Sequence, residues 1–274
     1  MRIGGFRGVV NASILFTELP LLQRFAAAQA AGFEAVELWW PFAEAVPAAN
    51  QVTALLDALE SAGLSLVSLN LFAGDMASGD RGILSLPDSA ADVRGNVEVV
   101  VDIARRTGCR HFNALYGQRL ENVSPGVQGD TAVANLSYAA KAVGAVGGTL
   151  LIESLTDGEN GAYPLRTADD AVAVIDRVAQ ADGGENLRLL LDTYHLINNG
   201  DDLSAVIERH GDRIGHVQVA DSPGRGQPGT GSIDFERVFA ELARHGYSGL
   251  VSCEYRPVGP SGSSFGWIRE AERE

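Results

Sequence analysis

Short apolar runs alternate with longer amphipathic segments along the whole chain. The runs are rich in Val, Leu and Ile, and in the segments between them apolar residues recur every three or four positions. The first rhythm is that of a buried strand, the second that of a helix with one face on a core. Strands are predicted at 9–13, 33–39, 64–70, 110–115, 149–153, 187–192, 214–220 and 247–254. Helices are predicted at 18–31, 47–62, 88–107, 131–146, 167–181, 201–210 and 234–245, with one more short helix over 263–274. Thr17 reads as the N-cap of the first helix, and Gly32, Gly63, Gly108 and Gly246 stand just past helix ends. A long loop, 71–87, separates the third strand from its helix.

Strict alternation of this kind demands parallel strands joined by right-handed crossovers. Eight such units close most simply into a single α/β domain, a (β/α)8 TIM barrel over residues 1–274. A doubly wound open sheet is the competing architecture. Against it, no Gly-x-Gly-x-x-Gly follows the first strand and no Walker sequence occurs. No linker or shift in composition divides the chain, and 46% hydrophobic content is enough for one large core.

Four consecutive strands end in residues that a buried strand should avoid: Glu153, Asp192, Gln218 and Glu254. In a barrel, active sites form at that end, from several strands at once. Three converging carboxylates repel one another, which raises their pKa values or demands a cation. The all-oxygen set suits Mg2+ or Mn2+ before Zn2+, which favours His or Cys over an amide. Any one of these carboxylates has an ordinary explanation as the N-cap of the next helix; four correlated strand ends outweigh it. His195, three residues after Asp192, belongs with the pocket. His216 shares a strand face with Gln218 but lies one layer deeper, and reads as a structural histidine. Trp39 and Trp40 fit a core or a substrate wall equally well. Cys253 alternates away from Glu254 and reads as packing.

Charge and composition then narrow the chemistry. A net charge of −14 leaves no basic face for nucleic acid. The one lysine, Lys141, lies in a predicted helix, which argues against Schiff-base catalysis. Cys109 and Cys253 show no pairing pattern, and Met1-Arg-Ile-Gly-Gly-Phe lacks a signal-peptide run; both predict a cytoplasmic protein. No apolar stretch is long enough for a membrane span. Assembly into a homo-oligomer stays open.

At these residues the chain resembles the hydroxypyruvate isomerases, within the xylose isomerase-like TIM barrels that include the ketose 3-epimerases. The likeness is carried by Ser13-Ile-Leu-Phe-Thr-Glu, by Gly74-Asp-Met with Gly79-Asp-Arg-Gly82, and by Leu191-Asp-Thr-Tyr-His195. Gly215-His-Val-Gln-Val-Ala-Asp-Ser-Pro-Gly-Arg225, Pro228-Gly-Thr-Gly231 and Cys253-Glu-Tyr-Arg-Pro257 extend it over nearly the whole chain. The resemblance implies that Glu153 and Glu254 are paired catalytic glutamates that also bind a metal. It implies that Asp192 and Gln218 complete the ligand set, with His standing in the epimerases where Gln218 stands here. His195 and Arg225 fall at substrate-binding positions, and Glu159 falls near a further substrate-contacting acid. Arg225 is expected to hold a substrate carboxylate from a rim shaped by its Gly- and Pro-rich loop.

The implied reaction interconverts hydroxypyruvate and tartronate semialdehyde through an enediolate, one glutamate removing a proton and the other returning it. Isomerisation of a 2-oxo-tetronate, 3-epimerisation of a ketose, a dehydratase and a non-enzymatic binding protein are the alternatives. A DNA-repair nuclease would need more histidines and a basic face. One stretch departs from the isomerases, which follow the first glutamate with Pro-Ile-Asn, then an Arg and a Pro-Gly. Here Glu153-Ser-Leu-Thr-Asp-Gly-Glu-Asn-Gly161 follows instead, so the substrate is the least determined feature.

Overall fold

A computed structural model describes residues 1–268. Nine strands form one sheet: β1 (Arg2–Ile3), β2 (Phe6–Asn11), β3 (Ala35–Leu38), β4 (Ser65–Asn70), β5 (His111–Asn113), β6 (Thr149–Glu153), β7 (Leu187–Asp192), β8 (Ile214–Val219) and β9 (Leu250–Cys253). Each of β2 to β9 runs parallel to its neighbours, and β9 pairs back onto β2 through Arg7↔Leu250 to Val10↔Cys253. That last pairing closes the barrel and removes the open-sheet alternative. Around it lie α1 (Leu21–Ala30), α2 (Ala49–Ser61), α3 (Ala90–Thr107), α4 (Pro125–Gly144), α5 (Ala168–Gln180), α6 (Thr193–Asn198), α7 (Leu203–His210) and α8 (Phe235–Arg244).

Several boundaries move from their expected places, each for a local reason. β1 folds back antiparallel on β2 through a Gly4-Gly5 turn, a two-residue strand too short for any periodicity to announce. α1 starts at Leu21 with Pro20, not Thr17, before it. α4 starts six residues early, at Pro125, because the Ser124 hydroxyl accepts the Val127 N–H and proline suits the first helical position. α6 is an unexpected short helix directly after β7. The helix expected over 263–274 falls partly outside the described residues; within them a single 3-10 turn covers Ser261–Ser263.

Two loops at the C-terminal end of the barrel are pinned by close backbone contact. Gly82 has φ +101°, and a Cβ there would lie 2.0 Å from the Leu115 carbonyl oxygen. Its N–H donates to Ala73 O, while Gly117 N–H donates to Arg81 O. Gly231 sits as tightly, 2.3 Å from Ser222 O by the same measure. There the Asp221 carboxylate accepts the backbone N–H groups of Ser222, Gly229, Gly231 and Ile233 at 2.8–3.0 Å. One buried side chain therefore fixes the course of the whole rim loop.

Candidate active site

Ladder register delivers the polar strand ends to one level. Asp192 is paired with Gln218, and Gln218 with Ser252. Glu153 ends β6, and Glu254 follows β9 with its N–H on Val219 O. All four predicted residues are buried at this end of the barrel. Arg225 lies between two of them, with Nη2 at 2.9 Å from Glu254 Oε1 and 3.7 Å from Asp192 Oδ2. A cavity of about 360 Å³ opens above, lined by Trp39, Arg81, Glu153, His195, Arg225 and Glu254 among others.

Asp192 does two things at once. Its Oδ1 accepts the N–H groups of Tyr194 (2.8 Å) and His195 (3.1 Å), capping α6. The ordinary N-cap role is therefore real, yet Oδ2 is buried with no hydrogen-bond partner in the protein. Gln218 is divided the same way. Its Nε2 donates to Glu37 Oε1 (2.8 Å), which leaves Oε1 buried and unpartnered. A buried acceptor without a donor costs about 1–3 kcal/mol. Two such oxygens among buried glutamates fit a hard divalent cation. Ligand-capable atoms of Glu153, Asp192 and His195 also lie within 4.8 Å of one another.

His195 fits that cluster as a donor. The Thr156 backbone N–H donates to its Nδ1 at 3.0 Å, so Nδ1 is bare and the neutral ring carries its proton on Nε2. Nε2 lies 3.8 Å from both Glu153 Oε1 and Asp192 Oδ2. Burial, then the charges of Arg225 and Arg81, hold the imidazole pKa well below its usual value. The ring is thus neutral and presents N–H to the site, which suits contact with a substrate oxygen.

The carboxylates are pushed the other way. Burial and then the charge of Asp192 raise the Glu153 pKa to about 8, against the opposing hydrogen bond from Asn113. Burial raises Asp192 and drives Glu254 well above the usual range, with Arg225 opposing in both cases. Burial alone would loosen the Arg225 proton, but Glu254, Asp192 and Glu153 outweigh it and hold the guanidinium charged.

The first half of the barrel supplies groups that sequence reasoning missed. Asn113 Nδ2 donates to Glu153 Oε2 at 2.6 Å. Asn11 Nδ2 donates to both Glu254 Oε2 and Glu37 Oε1, and Trp39 Nε1 donates to Glu254 Oε1. Trp39 therefore belongs to the site, whereas Trp40 is buried with its Nε1 on Glu44 O. Glu37 is the partner that His216 and Gln218 share; His216 Nε2 lies 2.6 Å from its Oε2. His216 is structural, as expected. Burial would raise the Glu37 carboxyl, but the His216 charge and these hydrogen bonds bring it below its usual value. The available signal was the same as in the second half, a polar residue at or near a strand end.

The rim carries the remaining predicted residues. Arg225 has φ +57° within the loop that Asp221 holds, and its guanidinium lies 5.5 Å from the Tyr194 ring centroid. Glu159 faces the same cavity, and its Oε1 accepts the Tyr194 hydroxyl at 2.6 Å. Lys141 is exposed on α4, and Cys253 is buried as packing. No described helix is long and apolar enough to cross a membrane.

Known proteins share this arrangement of barrel and sequence. A Streptomyces coelicolor protein provisionally named a hydroxypyruvate isomerase is 49% identical over 96% of both chains. The 2-oxo-tetronate isomerase of Cupriavidus necator is 33% identical over 96% of this chain and 97% of its own. A crystal structure from Brucella melitensis, described as an AP endonuclease of family 2, superposes with a TM-score of 0.85 at 31% identity, covering 95% of this chain and 97% of that one. The family model for the xylose isomerase-like TIM barrel matches residues 25–271. The chain belongs to the xylose isomerase-like TIM barrel family.

Proposed function

We propose that this chain is an aldose–ketose isomerase of short 2-oxo acids, with hydroxypyruvate and tartronate semialdehyde as the first pair to test. The observation that carries the reading is the pairing of two buried glutamates, Glu153 and Glu254, with the neutral Nε2–H of His195 between strand ends. One glutamate removes a proton from the hydroxyl-bearing carbon, and the other returns it to the neighbouring carbon. His195 donates to a substrate oxygen as negative charge develops there. Asn113, Asn11 and Trp39 hold the two glutamates by hydrogen bonds, and Arg225 offsets their charge. Arg225, His195 and Glu159 face the substrate. Glu153, Asp192, Gln218 and Glu254 are the residues that would hold Mg2+ or Mn2+. A divalent ion bound there supplies Lewis-acid polarisation of adjacent carbonyl and hydroxyl oxygens.

One domain over residues 1–274 carries this chemistry, and the buried free thiols fit a reducing cytoplasm. A 2-oxo-tetronate is the second candidate substrate, supported by the Cupriavidus relative. A nuclease reading has no support in the site: Asp192 and His195 sit among carboxylates under a net charge of −14.

Turnover in deuterium oxide is the test. Deuterium should enter the product carbon that gains hydrogen, and Glu254→Gln should abolish turnover and exchange together. Turnover without exchange would replace proton transfer with an intramolecular hydride shift, and no turnover on either oxo acid would remove the reading.

A further inference from the structure

We infer that Arg81, held by Asn160, selects a substrate bearing a carboxylate and fixes which end of it reaches the glutamates. The chemistry invoked rests on the isomerase reading; the anion site itself does not.

Three arginines line the cavity: Arg81, Arg225 and Arg256. Arg225 is already engaged by Glu254 and Asp192. Arg256 is exposed at the mouth. Arg81 is half-buried, and its acceptors are all neutral: Nε donates to Asn160 Oδ1 (2.8 Å), and Nη1 to Met76 O (3.1 Å) and Asp80 O (2.8 Å). Among the described residues it forms no ion pair, and its Nη2 makes no hydrogen bond. Burial and the nearby charge of Arg225 lower its pKa, and the Asp80 charge, which forms no ion pair with it, opposes them without reversing the shift. A guanidinium carries five donors in a fixed fork, so the free Nη2 edge presents two N–H groups to the cavity.

The position of Arg81 is built rather than incidental. Its backbone is pinned through Gly82 and Gly117, where no Cβ fits against Leu115 O. Asn160 is buried and donates from Nδ2 to Thr156 O, and the Thr156 N–H holds His195. One chain of contacts therefore runs from Arg81 at the rim to His195 at the floor. It passes through the 154–161 loop that departs from the isomerase pattern.

Charge is divided along the cavity. Glu153, Asp192 and Glu254 outnumber Arg225 at the floor and make it acidic, whereas Arg81 and Arg256 outnumber Glu159 on the wall above. A short 2-oxo acid lies across that gradient in one direction, with its C1 carboxylate on Arg81 and C2 and C3 over the glutamates. The C3–H bond then breaks, its electron pair forming the C2–C3 double bond of the enediolate as the C2 carbonyl pair moves to O2; that double-bond pair next takes a proton at C2 while the O–H pair of the C3 hydroxyl forms the C3 carbonyl. The proton returns to C2, and the C3 hydroxyl proton passes to O2. No oxidant or reductant enters.

The test uses D-glycerate, an unreactive carboxylate, as the calorimetric probe, alongside hydroxypyruvate kinetics. Arg81→Met should weaken D-glycerate binding about 10- to 100-fold, the loss of one charge-assisted contact. It should raise KM for hydroxypyruvate by a similar factor while kcat falls less than about threefold. Arg81→Lys should recover part of the affinity, which a misfolded variant would not. Absence of glycerate binding to the wild type, a loss under threefold in Arg81→Met, or a larger loss in Arg256→Met would overturn the assignment. Glycerate binding that depends on Arg81 in a protein with no isomerase turnover would keep the anion site and remove the isomerase reading.

Discussion

From β6 to β9 the strand ends carry Glu153, Asp192, Gln218 and Glu254; from β2 to β5 the corresponding region carries Asn11, Glu37, Asn70 and Asn113. The second half supplies buried acceptors, of which Glu153 and Glu254 line the cavity. The first half supplies mostly amides, and of these Asn11 donates to Glu254 and Asn113 to Glu153 without adding charge. Glu153, Asp192 and Gln218 each have one side tied, by Asn113, by the Tyr194 and His195 N–H groups and by Glu37 respectively, and one oxygen free of any short hydrogen bond. Glu254 differs, since both its oxygens already accept hydrogen bonds. Glu153 and Glu254 are thus restrained from the neighbouring strands β5 and β2, and Gln218 is held from β3 by Glu37.

Glu37 is the exception in the first half, and its substitution is the strongest way to break the comparison. Glu37→Gln removes the charge beside His216 and loosens Gln218; breaking a buried pair costs about 3–5 kcal/mol. Urea unfolding should show most of that loss, and calorimetry should show divalent-ion binding weakened about tenfold or more. A loss below about 1 kcal/mol would make Glu37 a bystander.

The acceptors themselves should make the metal-free protein pH-sensitive. Glu153 rises to about 8 when folded against an ordinary 4.5, so the folded state holds a proton that the unfolded state releases. Stability is therefore greatest below about pH 4.5 as far as this group is concerned, and falls as pH rises toward 8. At about 1.4 kcal/mol per unit the change is on the order of 5 kcal/mol. Melting curves after EDTA dialysis read it directly, and a flat profile over that window would deny the raised carboxyl.

A smaller effect isolates one restraint. Asn113→Leu removes the donor to Glu153 Oε2, which favours the charged form. The acid limb of the pH–rate profile should move up by about one unit. Smallest of all, Arg177→Ala removes an exposed pair with Asp130 on the outer helices. It should shift the melting temperature by no more than roughly 2 °C. A larger shift there would mean that the outer shell, not the barrel end, carries the stability.

The barrel was legible because eight apolar runs at helical intervals leave few other topologies. The Gly4-Gly5 hairpin was not, since two residues carry no period. Glu153, Asp192, Gln218 and Glu254 were legible because a polar residue in an apolar run is costly and therefore informative. Asn11 and Asn113 were not, because amides at strand ends are also ordinary turn residues. Glu37 was not, because it stands before the last two residues of the predicted strand 33–39 and Glu34 points to the opposite face, so no polar strand end marks it. Arg81 lies in a loop, where only the folded chain shows that its hydrogen-bond acceptors are neutral.

Asp192 joins the start of α6 to the floor of the site through a single carboxyl group. Whatever engages Oδ2 also stiffens the anchor of the helix that carries His195. Occupancy of the floor and the aim of the imidazole are then cooperative quantities, transmitted over one residue without a moving domain. Amide hydrogen exchange at Tyr194 and His195 should slow when Mg2+ or Mn2+ is added, a reading of the coupling that needs no substrate. An ion bound there would steady the short helix behind it as well as polarise a substrate.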